Sequence, residues 1–415
     1  LDLFAGAGGL SLGFEQAGFD VLAAVEYDAV HCATHHYNFP YSHTICADLA
    51  RLDAAALAED IGTDEIDVIC GGPPCQGFSL IGKRDADDPR NTLPLDFLRM
   101  VAHFRPRYFV MENVPGLAVG KQASVLHALM ERFADLGYNV CEPVRILRAT
   151  DFGVPQARKR LFVIGARIDC PQAAYPTPDH LAEIGAPLLA GFRRCPTVAE
   201  ALDDLPDADG FPELLESDSV HAPPRQSPSA YAKRLRDPAI DPRDFSYERS
   251  HYDPALMTAS LRTKHTQASA DRFRATPGGE TEPISRFFRL PPDGYCNTLR
   301  AGTGSARGAF TSPRPIHHIH PRCLTNREAA RLHSFPDWFR FHVTKWHGFR
   351  QIGNSVPPLL ARAVASSIVA AMRLHPVKPG RPLPVSDQRL LRMNMTEACQ
   401  YFEVERTISG RKRGR

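Results

Sequence analysis

Short apolar runs alternate with segments of helical periodicity along the first 165 residues of the chain. The runs at 1–4, 21–25, 67–70, 108–111 and 161–165 read as buried strands. Between them, 10–17, 28–37, 54–61, 95–104 and 124–136 carry apolar residues at helical spacing. Strand and helix repeated in this way require crossover connections. The pattern therefore predicts an α/β unit on a mostly parallel sheet covered on both faces.

The texture changes after about residue 169. From there to about 321, prolines, arginines and short polar turns dominate, as in "APPRQSPSA" and "LPPDGYCNTLRAGTGSARG". Such a stretch is too long for a loop, so it forms a second domain or an extensive insertion. Helical spacing returns at 325–333 and at 357–372, and the last of these helices is expected to dock back onto the first unit. The expected organisation is a first unit at 1–170, an inserted domain at 171–321, a return to the first unit at 322–375 and a tail at 376–415. The end of that tail, "SGRKRGR", reads as solvated.

Composition narrows the class. A hydrophobic content of 43% with 23% charged residues is ordinary for a soluble globular protein, and no apolar run reaches the length of a membrane span. A net charge of +2 is too mild to require a nucleic-acid partner, so any basic surface has to be local. The 10 cysteines show no CxxC pair and no regular spacing. Reduced thiols in a cytosolic compartment fit that usage, and they leave Cys75 available for chemistry.

Several motifs carry that chemistry. "LDLFAGAGGLSLGF" reads as strand, glycine turn and helix, with Gly6, Gly8 and Gly9 letting the backbone approach a ligand at a helix N-terminus. Glu26 ends the next strand, where a carboxylate can accept from ribose hydroxyls. The glycines do not form a strict GxGxxG, so the pattern favours a nucleoside-bearing cofactor over a dinucleotide; a purely structural turn is the alternative. Asp48 is placed to accept from an adenine amino group, although a lone aspartate there more often caps a helix. "GGPPCQGFS" sets Cys75 just past the carboxyl end of a strand, between stiffening prolines and permissive glycines. An inert buried cysteine is the bland reading, and the loop around it argues the other way. "YFVMENV" brings Glu112 and Asn113 to another strand end, where a desolvated carboxyl can hydrogen-bond a ring nitrogen. "PQARKRLFVIG" places Gln156, Arg158 and Arg160 before a strand, and alternation sets the two arginines on one face. Taken singly, each has an ordinary structural explanation; thiol, carboxyl and arginine at one sheet edge do not.

"DLFAGAGGLSLGF", "GGPPCQGFS", "ENV", "QARKR", "LTNREAARLHSFPDWF" and "QIGNSVPP" follow one another in the order of the DNA cytosine-5 methyltransferases, and the chain resembles that family over 1–165 and about 322–372. The middle segment resembles the family's variable target-recognition domain in position and in Thr298-Leu299. The resemblance implies a Rossmann-like methyltransferase domain with a smaller, irregular target-recognition domain. It implies that Cys75 attacks C6 of a cytosine, that C5 then takes a methyl group from S-adenosyl-L-methionine, and that loss of the C5 proton releases the enzyme. By the same resemblance Glu112 contacts N3 and the exocyclic amine, and Arg158 and Arg160 lie near the base and the catalytic loop. Phe4, Gly6, Gly8, Glu26, Tyr27, Asp48 and Leu49 fall on cofactor-pocket positions, with Pro74 and Leu93 as neighbours and Asn354, Ser355 and Val356 closing the same pocket.

The target cytosine has to be extruded from its duplex, which costs a few kcal/mol of stacking and pairing. "IGKRDADDPR", with Lys83, Arg84 and Arg90, reads as a loop that closes over DNA, or else as a plain solvated loop. Gln76 and Ser79 beside the nucleophile, and Thr298 and Arg300 in the middle segment, complete the expected DNA contacts. The implied partner is double-stranded DNA. The implied setting is a monomeric, cytoplasmic and nucleoid-associated bacterial enzyme, with a cognate restriction endonuclease acting separately. The competing readings are a tRNA cytosine methyltransferase of the same fold, whose "CFT" tripeptide is missing here, a silent DNA-binding scaffold, and a Rossmann-type oxidoreductase. Histidine groups at 31–36 and 317–320 lack a remaining ligand set, so no metal is expected. Where the family commonly shows Gln-Gly before "FPD", this chain has His333-Ser334.

Overall fold

In the computed structural model, residues 1–74, 93–120, 122–183, 185, 187–223, 228–250, 252–302, 314–384 and 386–405 are described. The apolar runs form the strands expected of them, and one strand that no run announced, at His43–Cys46, joins them. β1 (Asp2–Leu3), β2 (Ala23–Glu26), β3 (His43–Cys46), β4 (Val68–Gly71) and β5 (Tyr108–Asn113) are all parallel, in the order β3-β2-β1-β4-β5. The chain moves outward from β1 to β3, then returns to the other side of β1. A crevice opens at such a switch point, beyond the carboxyl ends of the strands.

Among the described residues the sheet has eight strands. β6 (Tyr138–Val140), β7 (Arg145–Arg148) and β9 (Lys159–Arg167) complete it, and the two-residue β8 (Gln156–Ala157) lies off it. β9 runs antiparallel to β5, β6 and β7. The chain turns back from β7 to β9 without a crossover helix, and a short return of that kind reverses direction. Both faces of the central strands are apolar. Along β5, Tyr108 and Val110 join one core layer while Phe109 and Met111 join the other. β9 repeats this, with Phe162 and Ile164 opposite Leu161 and Val163.

Helices cover the two layers. α1 (Gly9–Gln16), α2 (Ala29–Asn38), α3 (Ala54–Ile61), α4 (Leu93–Phe104) and α5 (Gln122–Asp135) fall where the helical spacing predicted them. Asp28 caps α2 by accepting from the N–H groups of Val30 and His31. The inserted segment adds the short helices α6 (Val198–Leu202), α7 (Ala230–Arg236) and α8 (Gln267–Ala275). It has no separate main core: Val198, Leu202, Tyr231, Leu235, Leu290 and Leu299 share one apolar cluster with Leu12, Phe14, Val110 and Ile164. α9 (Asn326–Leu332) starts with a reciprocal cap between Thr325 and Glu328. α10 (Lys345–Asn354) was not foreseen. With α11 (Pro358–Met372) it makes a stretch long and apolar enough to cross a membrane, but that stretch is two helices and mostly buried in the core.

The end of the chain departs from a simple tail. Leu390 and Leu391 pack with Ala33 and Tyr37, and α12 (Met395–Tyr401) sets Ala398 and Cys399 against Ala29 and Val30. The residues at 406–415, including the basic end, lie outside the described residues.

α11 docks on α1, as expected, and Gly13 is the point of closest approach. A Cβ there would lie 2.3 Å from Ala361 Cβ and 2.7 Å from the Arg362 backbone nitrogen. Gly13→Ala should therefore destabilise the protein by about 1–3 kcal/mol despite alanine's better helix propensity. Gly210→Ala, with open space around the new methyl group, should move the denaturation midpoint little. Equal midpoints for the two variants in urea unfolding would contradict this close packing.

Candidate active site

The carboxyl edge of the parallel strands gathers the residues singled out from the sequence. After β1, Phe4, Gly6 and Gly8 all adopt left-handed backbone angles, φ 64°, 59° and 101°. The turn is anchored at β2, where the Gly6 N–H donates to Glu26 Oε2 at 2.8 Å. Glu26 Oε1 accepts from the Asp28 N–H at 2.9 Å. The carboxylate thus ties the glycine turn to the start of α2. A Cβ on Gly6 would meet nothing within 4 Å, so the turn borders open space. Tyr27 is 54% exposed next to it.

Gly9, at the start of α1, lies against the late motif, since a Cβ there would come within 2.5 Å of the Val356 carbonyl oxygen. Val356 is buried, Ser355 half-buried and Asn354 exposed. After β3, Asp48 accepts from the Ala50 N–H at 3.1 Å in a local turn, while the cap of α3, which its bland reading would have given it, is Asp53. Leu49 is buried. A residue that the motifs did not reveal holds this loop: Arg99 of α4 donates to the carbonyls of Leu49 at 2.6 Å and Leu52 at 2.9 Å. Its only signal was a cation on a helix whose other face is apolar.

After β4 the chain is pinned before it reaches the cysteine loop. Gly71 packs on the Leu3 carbonyl, and Asn113 Nδ2 donates to the Pro73 carbonyl at 3.0 Å. Pro74 is half-buried and Leu93 opens α4. Cys75, Gln76, Ser79, Lys83, Arg84 and Arg90 lie outside the described residues.

Glu112 sits beside Gly72, where a Cβ would lie 2.9 Å from its Oε2. Its other oxygen meets Arg160 Nε at 2.6 Å, and both side chains are largely buried. Burial pushes the Glu112 pKa up, while Arg160 and Arg158 hold it down. The balance leaves the carboxyl above the ordinary glutamate value, with burial the larger influence.

Arg158 does not share that role. Expected on one face with Arg160, it is instead fully buried. It donates to the carbonyls of Leu299 at 3.0 Å, Gly353 at 3.0 Å and Ser355 at 2.8 Å. A guanidinium engaged in this way ties its own β8–β9 junction to Leu299 and to the end of α10. Burial and Arg160 press its pKa down, against the pull of Glu112. Gln156 is buried as well, and its Oε1 accepts from the Leu299 N–H at 3.1 Å. Thr298 donates to the Ala157 carbonyl at 2.7 Å, and Arg300 is exposed. The inserted segment is thus fastened to the catalytic strands at the residues expected to meet DNA.

The remaining oddities resolve into structure. His35 Nε2 meets Ser11 Oγ at 3.0 Å, and His318 Nε2 meets Asp203 at 2.7 Å. Among the described residues no group of His, Cys, Asp or Glu is placed to hold a metal ion. Ser334 takes φ 65°, a region that favours glycine, and its Oγ accepts from the Leu359 N–H at 3.1 Å.

Comparison with known proteins follows this geometry. A family model described as C-5 cytosine-specific DNA methylase matches residues 1–370. The chain is 52% identical over 414 residues to the Type II methyltransferase M.XorII of Xanthomonas oryzae pv. oryzae, covering 99% of this chain and 94% of that one. It is 34% identical over 395 residues to the Type II methyltransferase M.DdeI of Desulfomicrobium norvegicum, covering 89% and 88%. Among solved structures, a DNA modification methyltransferase described as encoded within a prophage of E. coli superposes with a TM-score of 0.70 at 34% identity, covering 90% of this chain and 99% of that one. The S. pombe Dnmt2 methyltransferase, at TM-score 0.54 and 18% identity over 90% and 98% of the two chains, shares the fold.

The Glu112–Arg160 pair makes a direct prediction. A carboxyl whose folded-state pKa lies above its unfolded value loses stability for the fold as pH rises through that pKa, because the folded state binds its proton more tightly. Arg160→Met removes the opposing cation and raises the Glu112 pKa further. The variant should lose about 3 kcal/mol at about pH 8, where the carboxylate is left buried and unpaired. The deficit should shrink toward about pH 5 as the carboxyl protonates. Urea unfolding across this range measures it; a deficit that does not vary with pH would contradict the pairing.

Proposed function

The chain belongs to the C-5 cytosine-specific DNA methylase family, and from that premise we propose that it methylates C5 of a cytosine extruded from duplex DNA, using S-adenosylmethionine and a covalent bond from Cys75 to C6. It is a DNA cytosine-5 methyltransferase of the type II kind. The observation that carries the finer mechanism is the Glu112 carboxyl, buried with Arg160 and seated against Gly72, three positions before Cys75.

The residues fit a nucleoside-bearing cofactor. The glycine turn at Gly6 borders open space, Glu26 stands at the end of β2, and the exposed Tyr27 and Asn354 flank the same strand edge. When bound, S-adenosylmethionine supplies an electrophilic methyl group on a sulfonium. Glu26, Tyr27, Asp48, Leu49, Pro74, Leu93 and 354–356 would hold it.

On the substrate side, the Cys75 thiolate adds to C6, and the electrons of the C5–C6 double bond move toward C5 and the N3–C4 side of the ring. Glu112, in its protonated state, donates to N3 and offsets the charge that accumulates there. Arg160 keeps that carboxyl oriented. C5 would then take the methyl group as its bond to the sulfonium sulfur breaks, the electron pair staying on sulfur as a neutral thioether; loss of the C5 proton to a base returns a pair to the C5–C6 bond as the thiolate departs. Arg158, Gln156 and Asn113 act at one remove by fixing the strand ends. Lys83, Arg84 and Arg90 in the loop after Cys75, with Gln76, Ser79, Thr298 and Arg300, engage the DNA and offset the few kcal/mol of lost stacking. The enzyme acts as a monomer and shares its target with a separate restriction endonuclease.

Bisulfite sequencing of DNA from a host expressing the chain should reveal 5-methylcytosine in one short sequence. On a duplex bearing that sequence, Cys75→Ser should reduce methyl transfer by more than about a thousand-fold. It should also abolish the covalent conjugate that the unaltered protein forms with a 5-fluorocytosine substrate, while cofactor binding persists. Sustained turnover in Cys75→Ser would overturn the assigned nucleophile.

A further inference from the structure

His333 closes a ring of buried side chains that neither the strand ends nor the family motif explains by itself. It is the C-cap residue of α9 and is fully buried. His333 Nε2 lies 3.0 Å from the Ser355 carbonyl, and Nδ1 lies 2.9 Å from Gln156 Nε2. The protons can be assigned from the partners. A carbonyl can only accept, so Nε2 carries the hydrogen. The Gln156 amide oxygen is committed to the Leu299 N–H at 3.1 Å, so its NH2 faces the ring and Nδ1 accepts. This is the neutral imidazole, and burial together with Arg158 keeps it so.

Followed around, the hydrogen bonds return to their start. Gln156 holds the Leu299 N–H, and Arg158 holds the Leu299 carbonyl at 3.0 Å. Arg158 also holds the Ser355 carbonyl at 2.8 Å, His333 holds the same carbonyl, and Gln156 completes the circuit to His333. Both backbone groups of Leu299 are therefore taken by side chains from the β8–β9 junction. The backbone next to this point is in close contact too: a Cβ on Gly353 would lie 2.6 Å from the Ala301 nitrogen. With no slack on either side, displacement of one segment is felt by the other.

We propose that His333 is a positioning residue for methyl transfer: by bridging Gln156 and Ser355 it couples the segment that meets DNA, around 298–301, to the segment that closes the cofactor pocket, 354–356, so that each ligand tightens the binding of the other. This rests on the functional reading above. Such coupling is reciprocal, and it is measured as a ratio of affinities rather than as stability. A ring that served only to hold the fold together would lower the melting temperature without altering that ratio.

The test uses S-adenosylhomocysteine and a duplex carrying the methylated sequence found in the host. For the unaltered protein, the dissociation constant of S-adenosylhomocysteine should fall about fivefold or more when the duplex is present. In His333→Ala this ratio should drop toward one. His333→Gln should restore most of it, because an amide can donate to the Ser355 carbonyl and accept from Gln156. A wild-type ratio in a folded His333→Ala, or equal loss in both variants, would overturn the proposal. Should His333→Ala not fold, hydrogen exchange on the unaltered protein decides. Adding S-adenosylhomocysteine without DNA should slow exchange of the Leu299 amide several-fold, and unchanged exchange there would overturn the coupling. Failure of the unaltered protein to bind S-adenosylhomocysteine at all would instead refute the functional reading, and the coupling with it.

Discussion

A guanidinium sealed inside a protein, with carbonyl oxygens as its hydrogen-bond partners, is tolerable only if those oxygens are held in place. Arg158 is in that position. Taking a cation out of water costs several kcal/mol, and leaving it unpaired costs more. Its three acceptors come from two places far from it in the sequence: Leu299 in the inserted segment, and Gly353 and Ser355 at the end of α10. The clamp joins the β8–β9 junction, the inserted segment and the end of α10. The inserted segment shares the main apolar cluster as well, beside small clusters of its own around Leu214 and Phe273.

The same requirement fixes the site. β9 starts where Arg158 ends its clamp, and β9 pairs with β5 so that Glu112 lies opposite Phe162 and Asn113 opposite Leu161. Arg160 then projects to Glu112 at 2.6 Å. Two arginines separated by one residue thus divide the work. One is buried among carbonyls and locates the strand; the other pairs with the buried Glu112 carboxyl. On the other side of β1, Glu26 accepts from both the glycine turn and the start of α2, so one carboxylate fixes both segments at that strand edge.

The sequence-level reading succeeded where the signal was local. The strands at 67–70 and 108–111 and the helix at 54–61 are visible because buried parallel strands are apolar throughout and surface helices are periodic. The glycine turn and Glu26 were legible because left-handed backbone and strand-end acids leave residue-level traces. What escaped was long-range. β3 is "HTIC", half polar and only partly buried, and carries no strong run. The direction of β9 depends on how the chain returns from β7, which periodicity does not encode. Arg158 and Arg160 look alike in "QARKR", and only tertiary burial separates them. Arg99 acts on carbonyls 47 and 50 positions away, a contact with no sequence signature.

The C-terminal segment extends this logic past the residues that the family model matches. The family model ends at residue 370, yet 388–405 remain engaged with the body. Leu390 and Leu391 are almost wholly buried, and burial of such side chains contributes about 2 kcal/mol each. Their partners, Ala33 and Tyr37, lie on α2, and α12 covers Ala29 and Val30 on the same helix. His342 Nε2 meets the Met393 carbonyl at 3.1 Å, and the Val343 N–H donates to the Leu391 carbonyl at 3.0 Å. α2 begins at Asp28, whose N–H is bound by Glu26. A strap across α2 therefore steadies the helix from whose N-cap Glu26 takes one of its two backbone donors. The cluster at Ala398 and Cys399 also takes in Cys46 at the end of β3, so the strap braces a strand end as well as α2.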